Sequence, residues 1–133
     1  MTMVSELRRV PLEPPLIAIV DDDESTRESV KSLVRSLGFA AETFASAEDF
    51  LTSPYLDEAA CLIADVNMPG MSGPNLHRQL VATGKDIPTI LITAFPTDSL
   101  RKRALDAGVM CFLKKPFAED DLVSCIERAL AKP

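Results

Sequence analysis

Six polar residues fall at or just beyond the ends of short apolar runs, and their types match the needs of phosphoryl chemistry. LIAIV (16–20) runs into Asp21, Asp22 and Asp23, and CLIAD (61–65) ends at Asp65. TILIT (89–93) ends at Thr93, and MCFL (110–113) leads through Lys114 to Lys115. Carboxylates crowded at one site raise one another's pKa unless a cation neutralises them. Magnesium prefers a few carboxylate and carbonyl oxygens and gathers phosphate oxygens, so Asp22 and Asp65 with a nearby backbone carbonyl would suit it. Asp65 could then act as a nucleophile, attacking phosphorus to give an acyl phosphate. Lys115 would supply a point charge and Thr93 one hydrogen bond. Taken singly each residue has an ordinary reading: an acidic run feeding a helix start, a strand threonine, a surface lysine. Asp23 and Glu24 keep that reading; the joint placement of the others argues for a site.

The elements that must position these residues are legible around them. With AAETF (40–44), the apolar runs make five expected strands. Between them lie amphipathic segments, the clearest placing Val30, Leu33, Val34 and Leu37 on one helical face, with Gly38 ending the helix. Ser25 with Glu28 and Ser46 with Asp49 have the spacing of capping boxes. From Glu119 onward Leu122, Val123, Ile126 and Leu130 share a stripe, with Glu119, Asp120 and Asp121 at the favourable end of the helix dipole. Strands alternating with helices imply right-handed crossovers and a parallel sheet covered on both faces, an α/β fold. AAETF carries Glu42, as an edge strand would. In such a sheet ligands bind beyond the carboxyl ends of the strands, where the six polar residues fall.

Composition narrows the function classes. The 133 residues suit one domain: a tail over 1–15, a packed unit over 16–131 and a short end at 132–133. Fourteen Lys+Arg against 20 Asp+Glu give a net charge of -6, which disfavours direct nucleic-acid binding. Cys61, Cys111 and Cys125 lack metal or disulfide spacing and read as buried reduced thiols. The apolar runs are too short for a membrane span, so a cytoplasmic location is expected.

VDDDEST (20–26), LIADVNMPGMSG (62–73), ILITA (90–94) and FLKKPF (112–117) together resemble response-regulator receiver domains over residues 16 to about 131. The resemblance implies a doubly wound, flavodoxin-like (βα)5 fold with strand order 2-1-3-4-5. It makes Asp65 the phosphoacceptor for a sensor histidine kinase or phosphotransfer protein. Asp21 and Asp22 become the acidic pair, with Asp22 binding Mg2+ directly and Asp21 acting more through water. Asn67 would lend the ion its main-chain carbonyl, Thr93 would bond the phosphoryl group, and Lys115 would pair with it. Thr93 and Phe112 would form a conformational switch, and the face of helix four, strand five and helix five would change, in favour of a homodimer or effector release. Lys115-Pro116 matches a bond usually cis in the family, which would turn Lys115 over the site. Phe95 departs from the small or polar residue common two positions after the threonine: the resemblance then implies slow self-dephosphorylation, the alternative being that the ring packs under Pro96 and the loop before helix four or belongs to the output face.

Two other functions compete. A haloacid-dehalogenase-type phosphatase also uses a strand-end Asp, magnesium, a Ser/Thr and a Lys, and Asp21-x-Asp23-x-Ser25 is similar to its first motif. It would leave Asp65 and its MPGMSG loop without a role and lacks a later acidic pair. A receiver-like scaffold working without phosphorylation would be expected to have lost one of the residues retained here. The remaining polar residues read blandly. His77 has no partner at metal spacing and is expected to face solvent, Arg101, Lys102 and Arg103 form a solvated helical face, and Gly70 and Gly73 serve a turn and close packing.

Overall fold

A computed structural model describes residues 14–131. The elements run β1 (Leu16–Val20), α1 (Glu24–Ser36), β2 (Ala40–Phe44), α2 (Ala47–Leu51), β3 (Ala59–Asp65), α3 (Gly73–Ala82), β4 (Thr89–Thr93), α4 (Asp98–Asp106), β5 (Cys111–Lys114) and α5 (Glu119–Ala131). The strands form one parallel sheet of order β2-β1-β3-β4-β5, as expected, and AAETF is an edge. Two of the expected strand limits shift. β3 begins two residues earlier, at Ala59, because Leu16 pairs with it across a register irregularity, and β5 spans Cys111–Lys114 because its ladder to β4 reaches Thr93 opposite Lys114.

The continuously apolar strands are buried on both sides because alternate residues feed two cores. Ile17, Ile19, Ile63, Ile90 and Ile92 face Val30 and Val34 of α1 and Leu122, Cys125 and Ile126 of α5. Ala18, Val20, Leu62, Ala64 and Leu91 face Phe50, Leu76, Leu80 and Ala104 on α2, α3 and α4. Each large aliphatic fully withdrawn from water contributes about 1.5–3 kcal/mol, so the sheet is the rigid part on which the loops stand. On α5 the buried stripe is Leu122, Cys125, Ile126 and Ala129, with the expected Val123 and Leu130 only half-buried at its margin. Leu37 likewise ends up 37% exposed, because α1 stops there and Gly38 turns away at φ 92°. All three cysteines are free and buried, and burial pushes the Cys61 and Cys125 thiols up to about 12.

Short polar side chains start the helices. Ser46 Oγ accepts from Asp49 N at 3.0 Å, as its spacing predicts. At α1 the expectation of Ser25 is corrected: Asp23 is the cap, its Oδ2 accepting from Thr26 N at 3.1 Å and from the Thr26 hydroxyl at 2.6 Å. Asp23 wins because a carboxylate both accepts the two bonds and complements the positive helix end, leaving Ser25 inside the first turn.

Candidate functional site

Strand order reverses between β1 and β3, and in open parallel sheets the crevice at such a switch point takes ligands. β1 delivers Asp21 there and β3 delivers Asp65. The Asp21 backbone N–H bonds Phe44 O at 3.1 Å, and its side chain, 1% exposed, is engaged at both oxygens. Oδ1 accepts from Asp23 N at 2.9 Å and Oδ2 from Lys115 Nζ at 3.0 Å. Asp65 is also buried, and Lys115 Nζ lies 3.2 Å from its Oδ1. Asp22 stands exposed at the rim, yet carboxylate oxygens of Asp21, Asp22 and Asp65 all lie within 4.8 Å of one another.

Lys115 reaches both buried acids because its own backbone is held. Its N–H donates to Thr93 O at 2.8 Å, and the following Lys115-Pro116 bond is cis, as expected. Burial disfavours the Lys115 ammonium, but the hydrogen bond and charge of Asp21, joined by Asp65, keep its pKa above the ordinary lysine value. Burial and the neighbouring Asp21 charge raise the Asp65 pKa, against the opposing pull of Lys115. Three carboxylates thus cluster together, and one ammonium reaches two of them, Asp21 and Asp65. Hard oxygen donors with surplus negative charge fit a small divalent cation such as Mg2+, with the exposed Asp22 leaving one side open to water and phosphate oxygens.

Thr93 is fully buried, and its hydroxyl accepts from Asn67 Nδ2 at 3.2 Å and from Phe95 N at 3.1 Å. Asn67 is exposed in the loop leaving Asp65, so the geometry brings together Asp21, Asp22, Asp65, Asn67, Thr93 and Lys115. Phe112 sits apart, half-buried on β5 and packed against the second core. Phe95 is 78% exposed in the loop before α4.

Two supports were not apparent in the sequence, and a third, the close packing at Gly73, was expected. Arg27 Nη1 donates to Asp21 O at 2.6 Å, fixing the β1–α1 turn from one helical turn inside α1. Its place one turn after the Asp23 cap was the available signal. Glu48 Oε2 accepts from Met71 N at 3.2 Å and anchors the loop after Asp65 from α2; no local pattern announces that contact. Gly73 needs its missing side chain, since a Cβ there would sit 2.4 Å from Asp65 O. The solvent-facing reading of His77 is corrected: it is 6% exposed, because α3 turns that position toward the α4–β5 turn at Gly108. Arg101, Lys102 and Arg103 are exposed on α4, as expected.

Comparison with known proteins decides the family. The family model for the response regulator receiver domain matches residues 17–127. The chain belongs to the response regulator receiver domains. It is similar to response regulator protein TodT of Pseudomonas putida, 40% identical over 93% of this chain and 55% of that protein. It is also similar to TmoT of Ectopseudomonas mendocina, 42% identical over 86% of this chain and 52% of that protein. The chain therefore spans about half the length of the curated relatives it matches. Among experimental structures, response regulator StyR superposes with TM-score 0.81 at 44% identity, covering 89% of this chain and 60% of that one. Receiver-domain membership confirms the flavodoxin-like fold and places the chain in two-component signalling, which removes the phosphatase reading. No helix among the described residues is long and apolar enough to cross a membrane.

Proposed function

We propose that this receiver accepts a phosphoryl group on Asp65 from a phosphohistidine of a sensor kinase or phosphotransfer protein and relays it as a conformational change. The observation that carries this reading is Lys115 Nζ held 3.0 Å from Asp21 and 3.2 Å from Asp65 at the switch point of the sheet. An Asp65 oxygen forms the new P–O bond as the donor's P–N bond breaks, the electron pair remaining on the departing imidazole nitrogen. Lys115 turns from Asp65 to the transferred group's oxygens, keeping its bond to Asp21 as an anchor. The Thr93 hydroxyl exchanges its present neighbours for a hydrogen bond to the phosphoryl group. Asp22, Asp65 and the Asn67 main-chain carbonyl would hold Mg2+, with Asp21 acting through water because both its oxygens are already bonded. The bound ion supplies neutralisation of the phosphoryl charge.

The acyl phosphate adds roughly two negative charges in place of one carboxylate. Movement of Thr93 toward it would free room beside β5 for Phe112, which already touches the core, to turn further inward. The α4–β5–α5 face would change with it and favour a homodimer or release of an effector, by biasing two pre-existing packings. The domain acts as a signalling switch in the cytoplasm, without a substrate turnover of its own beyond its phosphoryl group and without contacting DNA itself. The test is exposure to a small phosphodonor such as phosphoramidate, with and without Mg2+. Incorporation that requires Mg2+ and is released by hydroxylamine is the expected result; hydroxylamine-stable incorporation, or none, would refute the acyl-phosphate reading.

A further inference from the structure

His77 is a buried side chain that the phosphoryl site leaves unused. It is 6% exposed, no described residue hydrogen-bonds its ring, and it lines a cleft of about 290 Å³ between α3 and α4. Neither ring nitrogen is wholly sealed from solvent, and His77 is one of the residues lining that cleft. The cleft therefore borders a side chain whose hydrogen-bonding capacity no described residue uses, which a small ligand could take up.

The chemistry of the walls defines that ligand. Arg78 comes from α3 and Arg103 from α4, on opposite sides, and no carboxylate lines the cleft among the described residues. Guanidinium forks select planar or tetrahedral oxyanions, and two of them without a counter-charge favour an anion. Leu100, Ala104 and Val109 make the rest of the wall apolar, which suits a carbon body. The volume lies just below the usual ligand-cleft range of about 300–1,000 Å³, which limits the ligand to a small one.

We infer that the α3–α4 cleft is a binding site for a small organic anion, its oxyanion held by Arg78 and Arg103 and hydrogen-bonded by His77. The site is separate from the strand-end acids. It does touch them through one residue: Asn67 lines the cleft and also donates to Thr93. A ligand there would thus couple to the phosphoryl site by altering the Asn67–Thr93 bond, although binding itself does not depend on phosphoryl transfer.

The experiment is a nuclear magnetic resonance titration of the unphosphorylated full chain with benzoate, with its neutral counterpart benzamide, and with inorganic phosphate. Benzoate should give saturable shifts at the His77 ring and the Gly108 and Val109 amides, with a dissociation constant on the order of 1 mM. The exposed double variant Arg78→Gln/Arg103→Gln should keep the fold and weaken benzoate by about tenfold or more, the scale of a lost charge-assisted bond. His77→Phe should weaken it without moving the other sites. Benzamide binding as tightly as benzoate, or benzoate shifts that miss His77, would overturn the site. So would phosphate binding better than benzoate, or undiminished affinity in the double variant.

Discussion

The Lys115 ammonium stands 3.2 Å from Asp65 Oδ1, yet the Asp65 pKa is raised above the ordinary carboxylate range. Burial and the Asp21 charge outweigh the single ammonium, whose closest bond is to Asp21. A carboxylate whose folded pKa exceeds its unfolded value contributes stability that is complete below about 3.9 and is lost as pH rises through the folded value. At neutral pH ionised Asp65 therefore destabilises the fold. Asp65→Asn should raise the melting temperature in metal-free buffer at pH 7, and adding Mg2+ should narrow the gap by stabilising the native chain more. Calorimetry with and without the ion checks both statements; an Asp65→Asn variant less stable than the native chain in metal-free buffer contradicts them.

Lys115→Gln leaves the 1% exposed Asp21 without its ammonium. Removing one partner of a charged buried hydrogen bond costs about 1.5–3 kcal/mol. Urea unfolding at neutral pH should show a loss of that order, and phosphorylation should slow.

His77 provides a separate pH signature. Burial first, and the Arg78 charge second, lower its pKa below the ordinary histidine value. The unfolded chain then takes up the proton before the folded one, so the contribution of neutral His77 is complete above about 6.5 and is lost as pH falls through the folded value. The unfolding free energy of the native chain should fall between pH 7.5 and 5.5 more than that of His77→Asn. Parallel pH curves for the two proteins would contradict the placement of His77.

The strands and the acids at their ends were legible because a two-sided parallel sheet demands unbroken apolar runs and binds its ligands where those runs stop. The placement of Asp21, Asp65, Thr93 and Lys115 followed from that rule alone. Residue roles came from the resemblance: nothing in local spacing separates Asp22 at the rim from Asp21 beneath it. His77 was misread because a mid-helix histidine on a short α3 can face either side, and only the docking of the α4–β5 turn decides. Glu48 was invisible for a similar reason, since its acceptor role depends on a loop 23 residues away.

Gly73 and Gly84 separate packing from backbone strain. A Cβ at Gly73 meets Asp65 O, whereas Gly84, at φ 76°, faces open space. Gly73→Ala should cost about 1–3 kcal/mol by overpacking and shift the resonances around Asp65. Gly84→Ala should cost about 1–2 kcal/mol through its left-handed backbone, leaving the Asp65 region unchanged. Equal perturbation of Asp65 by both variants would contradict this division.

Phe95 stands 78% exposed while its N–H donates to the Thr93 hydroxyl oxygen, so its ring is free to cover the approach to a phosphorylated Asp65. An apolar ring neither orients nor admits the hydrolytic water. Phe95→Asn should speed loss of phosphate by on the order of tenfold, a small part of what a positioned polar group can supply, without altering uptake or fold. An unchanged hydrolysis rate at saturating Mg2+ would leave the ring without that role.

The most direct test of the central claim is the position of the phosphoryl group itself. The chain, treated with phosphoramidate and Mg2+, is reduced with borohydride, which converts an aspartyl phosphate to homoserine, and then digested for peptide mass spectrometry. Conversion at Asp65 alone, and none in Asp65→Asn, is the predicted result. Conversion at Asp21 or Asp22, or labelling that persists in Asp65→Asn, would contradict the assignment.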